Sequence, residues 1–287
     1  MKRNLLQKNL RQNLKERLAG ALALVWYRLD RRHREITRRN LEFAYGPELG
    51  PEEIERLALR VFRHFVLFGM EVLEMLLAPL PLIRKNVIIV GEEHLARSLA
   101  QGRGAIVITA HAGNWEYTVL GYSLQYGPAG VVGRELDHPW GRFLARYLRQ
   151  RGGNVMVDKQ RGLKGILGQL KLNRPVGIVI DQNTTTEGGL LVDFFGHPAR
   201  TTPVAAVLAR HRDIPVLPAF SRRLPGGRHL QAIFPPLPMK KTKDAQADIL
   251  EHLRAQNRAL EAWVRTCPEQ WLWLHRRWKN QFPQLYE

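Results

Sequence analysis

The chain has one cysteine, three serines, far fewer acids than bases and no long hydrophobic run, and each shortage excludes something. A lone Cys267 rules out an internal disulfide framework and fits a reducing compartment. Only Ser98, Ser123 and Ser221 occur, none in a G-x-S-x-G elbow, so a serine acyl-enzyme is not expected and any group transfer would be direct. The ten histidines show no H-E-x-x-H or Cys/His ligand spacing, which gives no support for a metal. No Walker A sequence occurs, and Gly102-x-Gly104 precedes an apolar run instead of following one, so no nucleotide cofactor is expected. A bilayer-crossing helix needs roughly 20 apolar residues. The apolar run Leu18 to Tyr27 is shorter, and no small-residue cleavage site follows it as in a secretory signal.

What is abundant is positive charge. Lys and Arg number 44 against 26 Asp and Glu, a formal net charge of +18, which calls for a polyanionic partner. Half of that excess lies in residues 1–40, where twelve bases face only Glu16, Asp30 and Glu35. Leu6, Leu10, Leu14, Leu18, Leu22, Val25, Trp26 and Leu29 recur between these bases at helical spacing, the pattern of a basic amphipathic helix on an anionic lipid surface. The alternative is a helix packed on its own domain with its bases in water. The expectation is a cytoplasmic, peripheral membrane protein.

Residues 1–80 read as helical, broken at Gly46-Pro47 and Gly50-Pro51 and restarted at Pro51-Glu-Glu, and form an expected membrane-associating region. Within Val61 to Ala78, Phe62, Phe65, Phe68, Met70, Met75 and Leu76 suit either an acyl-chain groove or ordinary core. From residue 81 short apolar runs alternate with helical stretches: Val87–Val90, Ala105–Thr109, Gly130–Gly133, Asn154–Val157, Val176–Ile180, Val216–Phe220 and His229–Phe234. That alternation predicts an α/β domain over 81–287 with a largely parallel sheet, mixed if Pro225-Gly226-Gly227 turns a hairpin. Asp244 to Arg265 reads as a long amphipathic helix.

His111-Ala-Gly-Asn-Trp-Glu116 follows the strand-like run Ala105–Thr109, with Asn114 as an N-cap before a helix reaching about Gln125. The histidine therefore falls on a strand-to-helix turn and Glu116 in the first helical turn, where the carboxylate would take one imidazole N–H and leave the other nitrogen as a base. Acyl transfer to an alcohol needs such a unit, with helix-start N–H groups for the oxyanion. The bland reading is a loop cap and a dipole complement.

Asp181-Gln182 ends a strand, at the edge where open α/β sheets bind ligands; it equally suits a turn with Asn183. Arg134 at another strand end, and Arg149 and Arg151 before Gly152-Gly153, suit a phosphate or simple solvation. Phe194-Phe195-Gly196 and Arg200-Thr-Thr-Pro203 read as an aromatic turn into a helix capped by Thr and Pro. Glu269 to Lys279 interleaves tryptophans with bases, which suits interfacial anchoring, stacking on nucleic acid or internal packing.

In order and spacing, His111-Ala-Gly-Asn-Trp-Glu116, Asp181-Gln182, Phe194-Phe195-Gly196 and Pro268-Glu-Gln-Trp-Leu-Trp-Leu-His-Arg-Arg-Trp-Lys279 resemble the bacterial lipid A biosynthesis acyltransferases, from Arg39-Asn40-Leu41 onward. The resemblance implies transfer of a fatty acyl group from an acyl carrier protein thioester to a hydroxyl of a phosphorylated glucosamine lipid at the cytoplasmic face of the inner membrane. It implies His111 as base, Glu116 as its orienting partner, Asp181 as a second carboxylate and an arginine of the Arg149-Gln-Arg151 region at the substrate. Substrate contacts are thus expected from Asn114, Arg134, Arg149, Arg151, Asp181 and Gln182, with no cofactor and no nucleic acid. Members often carry Asn a few residues after the strand-end arginine, where this chain has His138, and begin with a longer hydrophobic segment. An acidic carrier protein, a phosphorylated acceptor and an anionic leaflet would all be steered by the same basic surface. Alternatives are a mannolipid or glycerolipid acceptor, a thioesterase, and a basic nucleic-acid-binding or membrane-scaffold protein.

Overall fold

The computed structural model describes residues 2–133, 139–158 and 162–287, without the side chains of 2–11, 139–142, 145 and 158; Arg134 and His138 lie outside the described residues. Three helices come first: α1 (Lys2–Leu29), α2 (Arg31–Tyr45) and α3 (Pro51–Leu77). Asp30 separates α1 from α2 by accepting the His33 N–H at 3.0 Å. Helix α3 opens on Pro51, with Glu53 accepting the Gly50 N–H at 3.1 Å.

A short α4 (Leu80–Asn86) leads into β1 (Val87–Val90), after which α5 (Glu92–Leu99), β2 (Ala105–Thr109), α6 (Trp115–Tyr126), β3 (Gly130–Gly133), α7 (Pro139–Gln150), β4 (Val155–Asp158), α8 (Gly162–Lys171) and β5 (Pro175–Val179) alternate. With β8 (Val216–Arg223) and β9 (His229–Ile233) they give a seven-stranded sheet in the order β1-β9-β8-β2-β5-β3-β4. Every neighbouring pair is parallel except β8–β9, so the sheet is mixed through the hairpin that Pro225-Gly226-Gly227 foretold. Helices on both faces explain why β2 reads as unbroken Ala-Ile-Val-Ile: its first four residues are buried.

The segment around Phe195 departs from expectation. Instead of a turn running directly into a helix, β6 (Leu190–Phe194) and β7 (His197–Thr201) pair antiparallel across Phe195 and Gly196, whose φ of 54° and 74° match a two-residue hairpin turn. Helix α9 (Val204–Arg212) then begins at an N-cap Pro203 with no side-chain cap. The long α10 (Ala245–Thr266) is capped by Asp244, which accepts N–H groups of Gln246 and Ala247 at 3.0 Å.

One hydrophobic core joins the N-terminal helices to the sheet: Tyr27, Leu41, Ile54 and Phe62 pack in the same cluster as Ile106, Ile108, Val176 and Trp271. Trp271, Trp273 and Trp278 are fully buried, so the aromatic-basic tail is internal packing and not an interfacial anchor. Phe62 and Met75 are likewise core. Helix α1 lays Ala19, Ala23 and Tyr27 inward while Leu14, Leu18, Leu22, Val25 and Leu29 stay exposed, at 68% for Leu14 and 77% for Leu29. No helix among the described residues is long and apolar enough to cross a membrane.

Candidate active site

Parallel pairing of β2 with β5 brings two strand ends together. The Ile180 N–H donates to the Thr109 carbonyl at 3.1 Å, so the residues that follow each strand, His111 and Asp181, meet at the carboxyl edge of the sheet. His111 Nδ1 lies 2.8 Å from Asp181 Oδ1, and the His111 backbone N–H donates to Oδ2 at 2.7 Å. Trp271 Nε1–H donates to the same Oδ2 at 2.8 Å. Three contacts thus fix a fully buried carboxylate, and Nε2 of His111 is left without a hydrogen bond among the described residues.

Burial opposes a charged imidazole, yet Asp181, and more weakly Glu116, outweigh it and raise the His111 pKa above the usual 6.5. The same pairing, with the Trp271 donor, holds the buried Asp181 below the usual carboxylate range. The backbone at the turn is set by Gly113, at φ 60°: a Cβ there would lie 2.6 Å from Arg222 Cα, so no side chain fits. Ala112 bridges to Trp271, and the Gly113 N–H donates to the Gln270 carbonyl at 2.9 Å.

The expected bond between His111 and Glu116 is not made. Glu116, in the first turn of α6, instead forms a two-pronged ion pair with Arg149 of α7, whose Nε donates to Oε2 at 2.9 Å and whose Nη2 donates to Oε1. Helix geometry is the reason: that position of the first turn faces the neighbouring helix, while the histidine is turned back over β5.

Two more expectations are corrected. Asn114 is fully buried, Oδ1 accepting the Tyr117 N–H at 3.0 Å and Nδ2 donating to Glu71 at 2.9 Å, so it caps α6 and does not reach the cavity wall. Arg151 donates to the carbonyls of Met75 and Ala78 at the C-terminal end of α3, a structural cap, whereas Arg149 lines the cavity. Gln182 lines it too, and its carbonyl accepts from buried Arg277 at 3.0 Å.

Sequence reading passed over two groups. His275 Nε2 accepts the Asn183 N–H at 3.0 Å, and burial pushes its pKa down to about 4, so it stays neutral beside Asp181. Behind the turn, Arg223 of β8 grips buried Glu71 of α3 through Nε and Nη2 at 2.6 and 2.7 Å and reaches His64 at 2.7 Å. An acid and a base 152 residues apart leave no local signature.

A cavity of about 1620 Å³ opens at this edge, lined among others by His111, Trp115, Glu116, Arg149 and Gln182. Of the aromatic and methionine stripe considered for a groove on α3, Phe68 reaches it, stacked on Trp115 at 4.3 Å between centroids. Among the described residues no cluster of His, Cys, Asp or Glu is arranged to hold a metal ion.

An oriented imidazole with a free nitrogen at the wall of a large, mostly uncharged cavity suits proton abstraction from a hydroxyl. The family model described as bacterial lipid A biosynthesis acyltransferase matches residues 7–280. The lipid A biosynthesis lauroyltransferase of Escherichia coli K12 is 29% identical over 270 residues, 92% of this chain and 85% of its own length. The palmitoleoyltransferase of the same organism is 27% identical over 88% of this chain and 80% of its own. A phosphatidylinositol mannoside acyltransferase of Mycolicibacterium smegmatis is 30% identical, but over only 41% of this chain and 40% of its own. A match from end to end by the family model, together with the strand-end histidine that the fold presents, makes this chain a member of the bacterial lipid A biosynthesis acyltransferases.

Proposed function

We propose that the protein transfers a fatty acyl group from an acyl carrier protein thioester to a hydroxyl of a phosphorylated glucosamine lipid, with His111 as general base and Asp181 as its orienting carboxylate. The observation that carries this is the 2.8 Å contact between His111 Nδ1 and Asp181 beside an unencumbered Nε2 at the cavity wall. Nε2 removes the hydroxyl proton as the oxygen attacks the thioester carbonyl carbon. The tetrahedral intermediate collapses with cleavage of the carbon–sulfur bond, and the departing thiolate takes the proton back from the imidazolium. N–H groups in the first turn of α6, beside His111, are suited to the oxyanion. Glu116 and Arg149 hold each other at the cavity mouth, where the guanidinium can exchange part of that grip for an acceptor phosphate.

Because only the neutral imidazole accepts a proton, kcat/KM is expected to rise with pH along a limb centred above 6.5, the direction in which Asp181 moves His111. Residual turnover of Asp181→Asn should show that limb displaced to lower pH. A limb unmoved by the substitution refutes the pairing.

The exposed leucines of α1, flanked by Arg17 and Arg28, support docking on the anionic cytoplasmic leaflet. Changing Leu14, Leu18 and Leu22 together to Ser is expected to weaken binding to anionic vesicles by roughly 10³-fold or more, given about 1.5–3 kcal/mol for each fully buried Leu and tenfold per 1.4 kcal/mol. Sedimentation that leaves binding unchanged removes α1 from the membrane contact.

The reaction itself is tested by mass spectrometry of lipid products from purified protein, acyl-carrier thioester and acceptor. An ester on the glucosamine lipid is expected; an ester formed only on a mannolipid, or free fatty acid without ester, points to the related acceptor class or to hydrolysis.

A further inference from the structure

Away from the cavity at His111, the three N-terminal helices leave a cleft of about 350 Å³ where they meet. Leu24, Tyr27 and Arg28 of α1, Arg34 of α2, and Arg56 and Leu59 of α3 line it, and none of them lines the larger cavity. Tyr27 gives the cleft a polar group without a partner. It is 6% exposed and packed edge-on against Phe62, its hydroxyl is buried, and nothing among the described residues hydrogen-bonds to that hydroxyl. Such a group is costly until an acceptor reaches it. Burial first, and then the Glu55 carboxylate at the edge of the cleft, raise the Tyr27 pKa, so the side chain keeps its proton as a donor. Glu55 itself is engaged by Arg38 at 3.2 Å.

The walls are basic. Arg34 lies over the Tyr27 ring, 5.7 Å from its centroid, and spends one N–H on the Tyr27 carbonyl at 3.3 Å, which leaves the rest of its donor fork unused among the described residues. Arg28 makes no ion pair among the described residues, and Arg56 has Glu52 at 4.0 Å, both side chains largely in water. Several guanidinium forks around a phenol O–H, with fewer carboxylates than bases, suit a phosphate, whose oxygens accept from all of them. Leu24 and Leu59 add an apolar rim that a free phosphate would not use.

The place of the cleft on α1 says which phosphate. At 3.6 residues per turn, Leu14, Leu18, Leu22, Val25 and Leu29 make one exposed stripe, and Arg28 and Leu24 fall roughly 40° and 80° past its edge. A helix lying in the interface with that stripe among acyl chains holds its flanks at the level of the headgroups. We propose that the cleft between α1, α2 and α3 binds the phosphate of an anionic phospholipid headgroup, with Arg28, Arg34, Arg56 and the Tyr27 hydroxyl as donors. This rests on the docking of α1 argued above and deepens it: one lipid is gripped at a defined place, beside the diffuse attraction shared by all the bases.

Arg17 supplies the comparison, since it is exposed on the same flank of α1 but lies outside the cleft, roughly 16 Å along the helix from Arg28. Sedimentation with vesicles of phosphatidylcholine and phosphatidylglycerol is measured for the wild type, Arg17→Gln, Arg28→Gln and Arg56→Gln. Diffuse attraction takes about fivefold from each, the worth of one base near an anionic surface. Loss of a charged hydrogen bond in the cleft is expected to cost Arg28→Gln and Arg56→Gln about tenfold beyond Arg17→Gln. Three equal losses overturn the site. In a second arm, dihexanoyl phosphatidylglycerol below its micelle concentration and inorganic phosphate are titrated by calorimetry. Saturable binding of the lipid is expected, weakened about fivefold in Tyr27→Phe, which keeps the ring and every charge. Inorganic phosphate binding as tightly as the lipid overturns the lipid assignment, and saturation by neither overturns the site. A wild-type protein that ignores the vesicles yet binds the short-chain lipid supports the site and overturns instead the leaflet docking of α1.

Discussion

His111→Ala is expected to lower kcat by roughly 10²–10⁴-fold, the usual worth of a positioned general base, with KM little changed. The imidazole contributes no large share of the core: its ring is partly exposed at the cavity wall, and its hydrogen bonds go to Asp181 alone. A folded, membrane-binding but inert protein is the expected result. Asp181→Asn should fall in the same range, because an amide leaves the ring tautomer unfixed and the imidazolium without its counter-charge. Glu116→Gln, by contrast, breaks the pair with Arg149 and should act mainly on KM. Steady-state kinetics on the three variants separate these roles. If Glu116→Gln abolishes kcat while Asp181→Asn preserves it, Glu116 is the partner of the base and the geometric assignment fails.

The second large effect is on stability. Glu71→Ala leaves the Arg223 guanidinium buried with its carboxylate gone and Asn114 without its acceptor, and removal of one member of a buried ion pair costs about 3–5 kcal/mol. Burial by itself raises the Glu71 carboxyl pKa, but Arg223 holds it below the usual range, so the pair is ionised at neutral pH. Urea unfolding at neutral pH measures the loss; a change under about 1 kcal/mol, the worth of an exposed pair, refutes the assignment. The histidines around the site add an acid sensitivity. His229 and His275 are pushed down to about 4 and His64 is lowered as well, all by burial first. The unfolded chain binds those protons near 6.5 and the folded chain does not, so this stability is complete above pH 6.5 and drains away toward pH 4. The urea midpoint should fall steadily across that interval.

Local features were readable from the residues. Ala105–Thr109 reads as a strand because it is apolar and bounded, and α6 begins where Asn114 can cap it. The pairing of His111 with Asp181 was not readable, since it depends on β2 and β5 becoming neighbours across 70 residues, which is a property of strand order. Glu116, five positions from His111, looked like the natural partner because it is close in sequence, and the resemblance implied the same role. The β6–β7 hairpin escaped because the exposed pair Leu190-Leu191 and the Pro198 of the return strand blur the alternation that marks a strand, and only the paired backbone reveals Phe195-Gly196 as its turn.

The indole that steadies Asp181 comes from Trp271, beyond α10, and buried Arg277 ties the same segment to the Gln182 carbonyl. Those residues are the last of the site to leave the ribosome, so the site near His111 is assembled from the two ends of synthesis, α3 early and Trp271 late. The carboxylate that orients His111 is therefore completed only after the segment beyond α10 has folded back, and a chain ending upstream of Trp271 would lack both that donor and three buried tryptophans of the core.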